Sequence, residues 1–139
     1  MRIIYSFFVC VLLTNCVSIS EKKKPPVFSS NVNIIVRHLK TITDFQEIKF
    51  NGSQESVSNN SYGLLIIEII DPPIPVRFKT IPEEDSTLRE IGKQISLSVK
   101  SDLKDPEQYK YYNIKFTHKD HNWRNSSTTR NYVYESNSL

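Results

Sequence analysis

The chain has 139 residues, a formal net charge of +3, 38% hydrophobic and 24% charged side chains. That length suits one domain and not two, and so small a charge is too weak to imply binding to nucleic acid by electrostatics alone. Both cysteines, Cys10 and Cys16, lie near the amino terminus, so the rest of the chain has no disulfide framework and no cysteine metal site. It must hold together by packing.

Residues 1–15 read as a short signal peptide. Arg2 supplies the positive start, and residues 3–13 (IIYSFFVCVLL) form one apolar run. As a helix this run is about 16 Å long, well short of the roughly 30 Å hydrocarbon core. It suits a signal segment and not a membrane span. Leu13, Thr14, Asn15 and Cys16 follow. This tetrad resembles the lipobox of bacterial lipoproteins. Leu13 and Thr14 match that pattern, and Asn15 stands where Gly, Ala or Ser is usual. The resemblance implies lipid transfer to the Cys16 sulfur, cleavage before Cys16 and acylation of the new amino terminus. An anchor of two or more acyl chains holds firmly, because each buried methylene contributes about 0.8 kcal/mol. A plain signal peptide that happens to contain Cys16 is the alternative.

Residues 16–30 then read as the lipidated cysteine and a flexible linker. The stretch is Ser-rich, then basic at Lys22, Lys23 and Lys24, then extended by Pro25 and Pro26. The lysines are either a solvated tether or a contact with anionic headgroups, at about 1 kcal/mol per charge.

Residues 31–139 are expected to form one α+β domain. Over 31–43 the residues Val32, Ile35, Val36, Leu39 and Ile42 recur at helical spacing, with Asn31 as a cap. The β-branched run Ile34, Ile35, Val36 argues for a strand instead. Residues 45–50 read as a short strand ended by Asn51-Gly52-Ser53, a turn signal. Residues 62–70 (YGLLIIEII) are the strongest strand, expected at the sheet centre and covered on both faces for much of its length. Asp71, Pro72 and Pro73 end it. Residues 83–103 predict the clearest helix, with Leu88, Ile91, Ile95, Val99 and Leu103 in one stripe. Its acids lie at the start and Lys100 near the end, matching the helix dipole. Gly92 sits mid-helix at a cost of about 1 kcal/mol against Ala, which implies close packing there. Residues 109–118 alternate as a half-buried strand, and 129–135 predict a last one. The expected architecture is three to four mostly antiparallel strands packed on two helices, in the order α-β-β-α-β-β.

This layout is similar to small single-domain lipoproteins of the Bacteroidetes type. The likeness is carried by Cys16 after its leader, the strand LLIIEII, the helix LREIGKQISLSVKSDL, the break at Asp105 and Pro106, and the strand YYNIKF. It implies a domain at the cell envelope and no reaction. Val17 is not the acidic residue associated with inner-membrane retention, which favours the outer membrane. The partners so implied are the membrane, through the lipid, and an envelope protein.

Catalytic chemistry is thinly represented. With three glycines no phosphate-cradling loop can be built, and no Gly-x-Ser-x-Gly elbow occurs. Glu68 and Asp71 share a strand at odd spacing, so they face opposite sides. His118, Asp120 and His121 are the one cluster that could ligate a metal for a small hydrolase. Positions three apart on a strand diverge, so a turn after His118 would be needed. A non-catalytic module without cofactor or metal is the preferred reading. A third is a small-ligand carrier with a pocket between the long helix and the sheet. Tyr109, Tyr111, Tyr112, Trp123, Tyr132 and Tyr134, with Arg124 and Arg130, are either core and sheet edge or a recognition surface. Three acceptor sequons, at Asn51, Asn59 and Asn125, are expected by chance in so Asn- and Ser-rich a chain.

Overall fold

The computed structural model describes residues 21–57, 60–77, 81–120 and 126–139, apart from the side chains of residues 21–23 and 57. The leader, Cys16 and the first part of the linker lie outside the described residues.

The domain is α+β, in the predicted order. Its elements are β1 (Glu21–Lys24), α1 (Val32–Ile42), β2 (Glu47–Val57), β3 (Asn60–Ile70), α2 (Pro82–Asp102), β4 (Tyr111–Lys119) and β5 (Ser127–Glu135). The sheet has spatial order β1-β2-β3-β4-β5, four long strands with the short β1 at one edge. Three pairings are antiparallel, and the central one, β3 with β4, is parallel. A parallel pair needs a crossover, and α2 supplies it.

Local chemistry explains the helices. Asn31 caps α1, its side-chain oxygen accepting from the Asn33 amide at 2.9 Å. The apolar stripe then outweighs the β-branched run, because burying Ile35 and Leu39 needs helical spacing. Helix α2 starts at Pro82, whose missing N–H costs nothing in the first turn, and carries Glu83, Glu84 and Asp85 there.

Both helices lie on one face of the sheet. Leu88, Ile95 and Val99 of α2 and Ile35 and Leu39 of α1 pack on Leu65, Ile67, Ile69, Tyr112, Ile114 and Phe116. These side chains are 0 to 1% exposed, so no water-sized space touches most of them. The close packing expected at Gly92 is present, where a Cβ would meet the Tyr134 hydroxyl at 2.6 Å.

The opposite face of the sheet carries no helix among the described residues. Along β3 burial alternates, and Leu64, Ile66 and Glu68 on that face are only half-buried. This corrects the expectation of a strand covered on both faces. Tyr62 and Tyr111 meet there edge to face at 5.1 Å, and Val133 is 61% exposed.

Two further expectations are corrected. β2 does not stop at Asn51-Gly52-Ser53 but continues to Val57, which pairs with Asn60. Gly52 marks a close approach and not a turn, since a Cβ there would lie 2.5 Å from the Lys24 carbonyl oxygen. The linker is also shorter than residues 16–30. β1 pairs with β2, Phe28 packs edge to face on Phe50 at 5.1 Å, and the Ser29 amide donates to the Asp102 carbonyl at 2.7 Å. Phe28 has apolar surface to bury, so the chain is bound to the domain from residue 21 onward.

Candidate functional site

β3 and β4 run side by side and end at the same corner, beyond which the chain leaves the sheet. Crevices beyond the carboxyl ends of parallel strands are where open sheets most often hold ligands. Asp71, the first residue after β3, has φ of +50°, the left-handed region that only Gly, Asn and Asp enter readily. Its backbone N–H donates to the Thr117 carbonyl at 2.8 Å. Its carboxylate oxygen Oδ1 accepts from the Lys119 amide at 2.8 Å and lies 3.2 Å from His118 Nδ1. The turn therefore aims the carboxylate across to the end of β4.

An open cleft of about 430 Å³ lies beside this corner, lined by Lys40, Asp44, Phe45, Gln46, Asp71 and Pro73. Lys40 pairs with Asp44 at 3.6 Å and stands 5.3 Å over the Phe45 ring. Lys119 reaches Glu47 at 3.5 Å, and Glu47 also faces Lys49 at 3.6 Å. These pairs are exposed, so each contributes little to stability.

His118 is thus partnered by Asp71, a residue far away in sequence, and not by a neighbour in the His118, Asp120, His121 cluster. Asp120 follows β4, its amide donating to the Ser126 carbonyl at 3.0 Å. His121 lies outside the described residues, as do Trp123 and Arg124. Among the described residues no group of three or more His, Cys, Asp or Glu side chains converges on a metal position. An Asp–His pair can orient an imidazole as a general base. Among the described residues no serine, threonine or cysteine side chain is hydrogen-bonded to His118.

The other candidates separate in the same way. Glu68 lies on the open face and accepts from the Thr117 hydroxyl at 3.0 Å, away from Asp71. Where a carrier pocket is expected, between α2 and the sheet, Leu88, Ile95 and Val99 meet Leu65, Ile67, Ile114 and Phe116, all of them fully buried. Tyr109, Tyr112 and Tyr132 are core residues. Burial pushes the Tyr112 and Tyr134 phenols up to about 12. Among the described residues Tyr62 and Tyr111 are the aromatics on the open face, with Lys110 5.2 Å over the Tyr111 ring. The Asp71–His118 contact had no local signal, because it depends on the parallel register of β3 and β4.

No family model, no curated protein and no solved structure matches the chain. No helix among the described residues is long and apolar enough to cross a membrane.

Proposed function

We propose that the chain is a cell-envelope lipoprotein, a non-catalytic interaction or assembly module tethered to the outer membrane by acylated Cys16. The observation that carries this reading is an apolar run too short to span a bilayer that stops at Leu13, just ahead of Cys16, the one cysteine outside that run. The folded part supports it in two ways. Its core is a single cluster of apolar side chains drawn from both helices and the sheet, so the module holds together by packing. Among the described residues one sheet face carries no helix and presents Tyr62, Tyr111 and Val133, the kind of amphipathic surface that meets other proteins.

The test is the intact mass of the protein extracted from membranes. The expected mass is that of a chain beginning at Cys16 plus diacylglycerol and an amide-linked acyl chain. Cys16→Ser should remain uncleaved or leave the membrane fraction. Normal processing and unchanged membrane retention of Cys16→Ser would defeat the proposal.

A further inference from the structure

We infer that the domain stands on the bilayer through the projecting end of the β2–β3 hairpin, with the Asp71–His118 corner facing away from the membrane. The inference rests on the Cys16 tether and goes beyond it, because a tether alone does not set which end of a domain meets the lipid.

Three observations carry it. The first is the direction of β1. Glu21 lies opposite Gln54 and Lys24 opposite Gly52, so β1 points its Cys16 side toward the hairpin end. The second is the shape of that end. β4 begins at Tyr111, opposite Leu64, and β5 ends at Glu135, opposite Tyr111. The hairpin beyond Gln54 and Tyr62 therefore projects past both strands, by about 10 Å at strand rise. The third is charge. Among Gln54, Glu55, Ser56, Asn60, Ser61 and Tyr62 only Glu55 is ionic, and tyrosine is favoured at the membrane–water interface. Lys110 and Glu135 pair at 3.9 Å where β4 begins and β5 ends, set back from the projecting residues, whereas the far end carries Lys40, Asp44, Glu47, Asp71, His118 and Lys119.

Chain length decides against the inverted placement. Five Cα steps separate Cys16 from Glu21, a reach of at most about 18 Å. The far corner lies seven residues along β2 from Gln54, at Glu47, or about 23 Å away. With Glu21 held in β1, an acylated Cys16 can reach past the Val57–Asn60 pair but cannot pass the far corner. A domain lying flat on its open face would press Lys49, Glu68 and Lys115, aligned across three strands, against the surface, where charges lose hydration.

The experiment uses the mature, membrane-extracted protein, whose one native cysteine is acylated. Ser56→Cys at the hairpin and Ser127→Cys at the far end are each labelled with an environment-sensitive fluorophore. Both are placed in vesicles of phosphatidylethanolamine and phosphatidylglycerol containing headgroup-nitroxide lipid. Thermal melts equal to the parent protein establish that both variants fold. Quenching several-fold stronger at position 56 than at 127 is the expected result. Equal quenching, or stronger quenching at 127, overturns the orientation while leaving the tether intact. A preparation whose mass lacks acyl chains overturns both.

Discussion

The Tyr132 hydroxyl donates to Asp85 Oδ1 at 2.7 Å, joining β5 to the first turn of α2. Arg89 adds a second contact to the same carboxylate at 3.2 Å and stands 5.1 Å over the Tyr132 ring. The tyrosine bond, with help from Arg89, holds the Asp85 carboxyl below the usual carboxylate value. A group whose folded pKa is depressed stabilises the fold above its unfolded pKa and loses that contribution as pH falls through the folded one. Asp85→Asn should therefore be less stable than the parent at neutral pH. The gap should close below about pH 4, where the carboxylate titrates in the unfolded chain. Paired thermal melts from pH 7 down to acid read this directly. A gap that stays constant with pH would show that the charge on Asp85 is irrelevant.

Alkaline titration should show the opposite sign. Burial raises the phenols of Tyr112, Tyr132 and Tyr134 above their ordinary value of 10, to about 12 for Tyr112 and Tyr134. A raised pKa stabilises fully below the unfolded value and is lost as pH rises through the folded one. Stability should hold up to about pH 10 and fall above it. Phenolate absorbance of these side chains should appear together with loss of circular dichroism, not before it.

Gly92→Ala offers a test with an unusual sign. In an exposed helix this change stabilises by about 1 kcal/mol. Here the new methyl would meet the Tyr134 hydroxyl at 2.6 Å, so a loss of about 1–3 kcal/mol is expected from overpacking. Adding Tyr134→Phe removes the nearest atom, although it also removes the bond from that hydroxyl to the Arg89 carbonyl. The double variant should be more stable than the sum of the two losses. Denaturant melts of the cycle measure the coupling.

Asp71 carries a backbone cost that a different side chain would expose. Asp71→Asn keeps the left-handed preference and an acceptor for the Lys119 amide, so its effect should be small. Asp71→Ala loses both and should cost about 1–3 kcal/mol. Equal stability of the two variants in urea would mean that the corner does not depend on this acceptor.

Removing the first ten described residues tests where the domain begins. A chain starting at residue 31 lacks Phe28 and the Ser29–Asp102 bond. It should melt below one starting at residue 21, and Phe28→Ala in the longer chain should reproduce much of the loss, about 2–4 kcal/mol for a half-buried aromatic.

The elements legible in the sequence were those whose periodicity matched their burial. Leu88, Ile95 and Val99 announce α2 because they meet the sheet every helical turn, and Tyr112, Ile114 and Phe116 announce β4 by alternating. Misreadings arose where a residue served a distant neighbour. Asn51-Gly52 looks like a turn, yet Gly52 is small to admit the Lys24 carbonyl and the Tyr109 ring. Pro25, Pro26 and the lysines look like a free tether, yet Val27 and Ser29 hydrogen-bond the end of α2 through the backbone, which leaves no trace in composition. At the candidate corner His118 was visible but its partner was not, since Asp71 is brought there only by strand register.

The parallel seam between β3 and β4 has a kinetic consequence. β2–β3 and β4–β5 are antiparallel hairpins that can zip from short connections, whereas the seam must close the long loop that contains α2. Two preformed halves should therefore exist briefly before they join, with α2 as the hinge between them. The amides bridging Leu64–Ile70 to Tyr111–Thr117 should acquire protection from hydrogen exchange last during refolding, after those within either half.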